Sequence, residues 1–202
     1  MGLEDYRLAP ITEQNLKPEQ REVWDELVGG KRGGKAVRGE GFLVGPFDAL
    51  VRSPDVALSA SRLGEVLRFE TELTQREREL AIITVAAHWR ASFAWLRHDV
   101  YARESGLAPE VIADIAAGRE PDFDADSDRV IYQLVSGLVR EGGVSDERYA
   151  AALELLGERR LVELVALSGY YCFSSVVLNA FRVPLPDGER VPWSQEEATP
   201  RG

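Results

Sequence analysis

Sulfur and imidazole are what this sequence has least of. Among 202 residues there is one cysteine, Cys172, and there are two histidines, His88 and His98. A single cysteine excludes a disulfide framework, a cysteine-based zinc site and an intramolecular CxxC redox pair. Two histidines exclude a His-rich metal site. Positive charge is short as well: 24 Lys and Arg stand against 34 Asp and Glu, for a net charge of −10. Such a surface is a poor match for nucleic acid, whose backbone rewards cations. The opening Met1-Gly2-Leu3-Glu4-Asp5-Tyr6 has neither the basic start nor the apolar run of a secretory signal. With the lone cysteine, that sets the expectation of a cytoplasmic protein. No segment alternates apolar and polar residues long enough to be a strand, and no internal repeat is evident. Long apolar runs are also scarce. Residues 164–181 carry no charge and approach spanning length, but they include Ser168, Gly169, Tyr170, Tyr171, Ser174, Ser175 and Asn179, bracketed by Glu163 and Arg182. Polar groups are costly in hydrocarbon, so the run reads as a buried core or subunit-interface helix and no membrane partner is expected.

What is present is helix-forming. With 45% hydrophobic and 29% charged residues, the chain can build a core and belongs to no disordered or fibrous class. Pro18 suits a first helical turn, and Val23, Trp24, Leu27 and Val28 follow at helical spacing before Gly29-Gly30. Residues 29–45 form a glycine-rich loop carrying Lys31, Arg32, Lys35 and Arg38. A short helix is predicted over 46–51. Another opens at Ser53-Pro54, with Val56, Leu58, Leu63, Val66, Leu67 and Phe69 as its apolar set. Thr74-Gln75-Arg76-Glu77 is a capping box, and the helical pattern after it runs to Ser105, where Gly106 stops it. Pro109 begins a short helix ending at Gly118. Asp124 or Asp126 is expected to cap the next, which carries Val130, Ile131, Leu134, Val135, Leu138 and Val139 and closes at Gly142-Gly143. Ser145 caps a helix ending near Leu156, and the last helix covers about 158–179. Residues 183–202 hold four of the ten prolines and read as an extended tail. The expectation is one all-α domain of helical hairpins over residues 1–202, in a size range where homo-oligomers are common.

Four features bear on chemistry. Gly29-x4-Gly34-Lys35-Ala36 falls one residue short of a phosphate-binding loop: the Ser or Thr that would hold magnesium is missing, and a helix rather than a strand precedes it. A loop over a site, with cations that draw in an anionic substrate, fits better. Asp122, Asp124, Asp126 and Asp128 alternate like a calcium loop but lack its glycine and its final bidentate Glu, and so read as a solvated helix start. Cys172, among Tyr171, Phe173 and Val176, reads as a small buried residue. The richest stretch is 79–101, with both histidines, Trp89, Trp95, Arg90 and Arg97. Imidazole is the usual proton carrier near neutral pH, and Glu79 could orient one. On one straight helix Glu79 and His98 would lie about 28 Å apart. They cooperate only if the helix breaks or another subunit supplies one of them.

Across this stretch the chain resembles the carboxymuconolactone decarboxylase family, which includes the alkyl hydroperoxidase D-like proteins. The resemblance rests on Arg76-Glu77-Arg78-Glu79-Leu80-Ala81-Ile82, Ala87-His88-Trp89, His98 and Gly106-Leu107. It continues through Val144-Ser145-Asp146, Leu156-Gly157-Glu158, Val162-Glu163-Leu164-Val165, Gly169-Tyr170-Tyr171, Leu178-Asn179-Ala180-Phe181 and Val183-Pro184-Leu185-Pro186. It covers most of residues 42–188 and implies an all-helical fold assembled as a trimer or hexamer. The peroxidase branch uses a Glu, a CxxC pair and a His four residues after the second Cys. Glu79 and His98 match the Glu and the His, but the Cys positions fall on Ala91 and Ala94, so disulfide-cycling peroxidase chemistry is expected to be absent. The pairing of Glu with His also implies a helix break near 88–92. The decarboxylase-like branch often has Glu at the position of Ala94, then Trp and the His; this chain keeps Trp95 and His98 without that Glu.

Decarboxylation leaves an enolate-like carbanion that must be stabilised and protonated. The resemblance implies His98 as acid/base with Glu79 supporting it and His88 as a second candidate. Arg76 or a loop cation would pair with the substrate carboxylate, and Trp89, Phe93, Trp95, Phe42 and Phe47 would form apolar walls. The leading expectation is a cofactor-free, metal-free carboxy-lyase-like enzyme acting on a small carboxylated lactone or ring. The alternatives are an alkyl hydroperoxidase-like antioxidant by descent, and a non-catalytic relative that binds a small acid or a protein.

Overall fold

The computed structural model describes residues 6–31, 37, 39, 41–186 and 188–193. Arg32, Gly34, Lys35, Ala36 and Arg38, and with them most of the phosphate-loop-like signal, lie outside the described residues.

Proline and capping residues place most helix starts. Pro occupies the first turn of α1 (Pro18–Gly29), α2 (Pro46–Leu50), α3 (Pro54–Phe69) and α6 (Pro109–Ala116), where its missing N–H costs nothing. α4 (Gln75–His88) begins at the expected box. The Thr74 hydroxyl accepts from the Glu77 amide at 3.3 Å, and the Glu77 carboxylate accepts from the Thr74 amide at 2.8 Å. α5 (Ser92–Glu104) follows after a three-residue turn. α7 (Asp126–Arg140) departs from expectation: its N-cap is Ala125, and neither Asp124 nor Asp126 caps it. Asp126 instead pairs with Arg129 on the first turn, and Asp128 pairs with Arg76 of α4. Ser145 caps α8 (Asp146–Phe181) by accepting from the Arg148 amide at 3.3 Å. Within α8, Gly157 adopts φ 69° and ψ 170°, a region open essentially to glycine alone. This kink separates the two helices expected from the sequence. A 3₁₀ turn at Glu13–Asn15 has no counterpart among the expected elements. Among the described residues there are no strands, only isolated bridges between Thr12 and Phe42 and between Val37 and Leu43.

α4 is the axis of the molecule. All of its residues from Glu79 to Ala87 are buried, as expected of a helix that is apolar on every side, and α5, α6, α7 and α8 pack around it. α8 is long and apolar enough to cross a membrane by length and composition, but 56% of its most apolar window is buried in this fold. It supplies Leu164, Leu167, Ser168, Tyr171, Ser175 and Leu178 to the interior. Its outer face leaves Val162, Val165, Phe173 and Val176 exposed, and a shallow apolar groove separates Phe173 from Val56 and Leu63 of α3. After α8 the chain doubles back. Val183, Leu185 and Trp193 are buried, and Trp193 packs edge-on against Trp95 with its indole N–H on the Ser92 hydroxyl at 3.1 Å.

Candidate functional site

The turn between α4 and α5 makes the site. Arg90 takes φ 48°, an uncommon choice for a residue with a side chain. The Ala91 amide donates back to the Ala86 carbonyl at 2.9 Å, and the Arg90 guanidinium donates to the Ala116 carbonyl at 2.8 Å. α5 thereby folds back on α4. The His98 Nδ1 lies 2.6 Å from the Glu79 Oε2, although the two residues are 19 apart in sequence. From α8, the Tyr171 hydroxyl lies 3.1 Å from the other ring nitrogen, Nε2. The two rings stand nearly perpendicular, at 88°, with centroids 5.0 Å apart. All three side chains are buried.

Hydrogen-bond logic assigns the protons. A carboxylate only accepts, so Nδ1 carries the hydrogen facing Glu79. Nε2 is then the lone pair that accepts from the phenol. Burial pushes the His98 pKa below its ordinary 6.5, a tendency opposed by Glu79 and reinforced by the nearby Arg68 and Arg97. The neutral ring with its lone pair on Nε2 has the form of a general base, oriented from behind by a carboxylate.

Beside this line lies a cavity of about 410 Å³. Phe47, Phe69, Phe93, Tyr101 and Tyr170 give it aromatic walls, and Lys31, Arg68, Arg78 and Arg97 give it four cations. Its one acid among the described residues is Glu79, which is turned to His98. Lys31 is held by Glu70 at 2.5 Å, and Arg78 donates to the Leu73 carbonyl. Arg68 lies over the Phe69 ring at 5.1 Å. Arg68 and Arg97 both line the cavity. In an acidic protein this is a local concentration of positive charge. One wall is thin: Gly45, at φ 66°, backs directly onto Phe93, so that a β-carbon there would sit 2.9 Å from its Cε1.

Four of the expected site residues line the cavity: His98, Glu79, Phe93 and Phe47. The others are engaged elsewhere. Arg76 grips Asp128, with Nη2 2.7 Å from Oδ2 and Nε 3.0 Å away, and also donates to the Ser105 carbonyl. It therefore staples α4 to α7 and lies outside the cavity lining. His88 ends α4 at the surface, edge-on to Trp89, and its pKa is lowered by partial burial and by Arg140. Trp89 is 38% exposed, and its carbonyl accepts from Asn179. Trp95 is spent on Trp193, and Phe42 is buried outside the cavity lining. Tyr171, Arg68 and Arg78 are site residues that sequence reasoning misses. One signal could have found Tyr171: with Ser174 and Leu178 it falls at helical spacing within the uncharged stretch, and all three line the cavity. Cys172 is half-buried and lies outside the lining, whereas Ala94 is part of it. Among the described residues no cluster of acids, histidine and cysteine could hold a metal ion.

Solved structures of the same shape exist. The alkylhydroperoxidase AhpD core of a peroxidase-related protein from Ralstonia eutropha superposes with a TM-score of 0.68, at 17% identity, over 90% of this chain and 93% of that one. The chain has the alkylhydroperoxidase D-like fold. An AhpD-type protein of unknown function from Agrobacterium tumefaciens gives a TM-score of 0.62 at 16% identity, covering 69% of this chain and 96% of that one. The debrominase Bmp8, in a cysteine-to-alanine form bound to 2,3,4-tribromopyrrole, gives 0.64 at 12% identity over 88% and 90% of the two chains. Neither a protein-family model nor a curated protein sequence matches the chain. These superpositions establish the D-like fold and nothing about the chemistry. Here the alanines at 91 and 94 leave no sulfur in the lining among the described residues.

Proposed function

We propose that this protein is a cytoplasmic, cofactor-free acid/base enzyme acting on a small carboxylated ring or lactone, with decarboxylation as the leading reaction. The observation that carries the reading is the buried line Glu79–His98–Tyr171 bordering a cation-rich, aromatic-walled cavity. The substrate carboxylates pair with Arg68 and Arg97, and the ring lies against Phe47 and Phe93. When the bond to the departing carboxylate breaks, CO2 leaves and its electron pair passes into the ring as an enolate. The same cations stabilise that charge. The carbon then takes one proton, which His98 draws from solvent, so each turnover consumes one proton.

The test is turnover of 4-carboxymuconolactone, followed as CO2 release. His98→Ala is expected to lower it at least ~100-fold, the usual share of a general acid or base. Equal rates in the two proteins would remove His98 from the chemistry. Ala94 favours a second reading, because the decarboxylase-like branch often has Glu where this cavity wall has only a methyl group. Saturable binding of the same acid without turnover would identify a non-catalytic binder. A homo-oligomer is part of the proposal, supported by the exposed apolar residues of α3 and α8.

A further inference from the structure

We propose that the Tyr171 hydroxyl, rather than the His98 ring, is the group that exchanges a proton with the bound ligand, and that His98 and Glu79 serve as the relay behind it. The proposal rests on the acid/base reading of this site and adds a catalytic residue to it.

Both nitrogens of His98 are already occupied. Nδ1 faces Glu79 at 2.6 Å and Nε2 faces Tyr171 at 3.1 Å. A ligand atom approaching along the Nε2 lone pair meets the phenol first. Moving Tyr171 aside is opposed by its packing, since its ring stands edge-on to His98 at 5.0 Å and to Tyr170 at 5.6 Å, and it is 5% exposed. Tyr171 itself lines the cavity. The order of groups, hydroxyl then imidazole then carboxylate, is that of an activated hydroxyl whose base is oriented by a third group.

The proton count closes in both directions. As a base, the Tyr171 oxygen takes a proton from the ligand while its own proton passes to Nε2. The electron pair of the broken bond stays on the ligand as an enolate, and the positive charge ends on an imidazolium facing Glu79. As an acid, the phenol proton goes to the carbanion while Nε2 reprotonates the phenol oxygen. In decarboxylation, where no proton is first taken from the ligand, Nε2 must have gained that proton from solvent beforehand, so the ring starts the step as an imidazolium facing Glu79. Tyrosine is neutral before and after each transfer, so a free phenolate, unfavourable near pH 7, never accumulates.

The experiment compares wild type, Tyr171→Phe and His98→Ala on 4-carboxymuconolactone. It measures turnover, ligand affinity by calorimetry and, by proton NMR in D2O, deuterium entry at ring carbons. Tyr171→Phe is expected to keep affinity within about threefold and to lower kcat and exchange at least ~100-fold. The wild-type solvent isotope effect should show two protons in flight. Turnover of Tyr171→Phe within about threefold of wild type would overturn the proposal and leave His98 as the direct donor. If the Phe variant folds poorly, 3-fluorotyrosine placed at 171 substitutes for it. A more acidic phenol of nearly the same shape should move the pH–rate profile downward, and an unmoved profile overturns the proposal. A wild type that binds the acid without turnover or exchange would overturn the acid/base reading itself, and this proposal with it, a result distinct from an active wild type matched by its Phe variant.

Discussion

His98 links the candidate site to the stability of the fold. Burial, first among the causes, holds its pKa below 6.5, while the unfolded chain titrates near that ordinary value. As pH falls through about 6.5 the unfolded chain takes up a proton that the folded one refuses, so stability falls with acidification and is fully present above that range. One such group contributes a slope of up to about 1.4 kcal/mol per pH unit. The surface residue His88, shifted the same way by partial burial and Arg140, adds in the same direction. Urea midpoints measured from pH 8 to 5.5 should therefore decline for wild type and decline less for His98→Gln. A wild-type midpoint that is flat or rises on acidification would mean His98 is charged in the fold. At this scale residue type narrows the proton carriers to two histidines, and it is the family resemblance, not spacing, that singles out His98 with Glu79. Arg76 is taken up by Asp128, 52 residues away, and nothing local announces an ion pair closed by tertiary packing.

Helix boundaries are legible wherever proline, a capping box or glycine marks them, as at Pro18, Thr74 and Gly157. The decisive turn between α4 and α5 is different. It contains no glycine or proline, periodicity alone carries the helix through to Ser105, and Arg90 bends the chain at φ 48°. Only the family resemblance points to a break there. Glycines in α8 offer a test of the element itself. Gly157 sits at φ 69°, ψ 170°, and a methyl group added there would meet no atom within 4 Å, whereas Gly169 is exposed, helical and equally unobstructed. Gly157→Ala should destabilise the protein by about 1–3 kcal/mol through backbone strain alone. Gly169→Ala should stabilise it by about 0.5–1 kcal/mol. Urea unfolding of both variants checks the pair; the same sign in both would contradict the kinked geometry of α8.

At the scale of the whole molecule, contacts distant in sequence decide what composition could not. A net charge of −10 gives no hint that Lys31, Arg68, Arg78 and Arg97, from separate segments, converge on one cavity. The tail reads as extended in sequence, yet residues near its start return to brace α5. Trp193 is 6% exposed against Trp95, and the Arg90 guanidinium lies 5.2 Å from its ring. Trp193→Ala is expected to cost about 3 kcal/mol, which for a chain of this size lowers Tm by roughly 6–12 °C. Differential scanning calorimetry measures it, and an unchanged Tm would show the tail to be dispensable.

The absence of a side chain at Gly45 also has a meaning for ligand size. Because the Phe93 ring fills the space where a methyl group at 45 would go, any larger residue there would drive that ring inward. A side chain at position 45 is therefore expected to press on Phe93 and narrow the chamber, on top of the backbone strain it would meet at φ 66°.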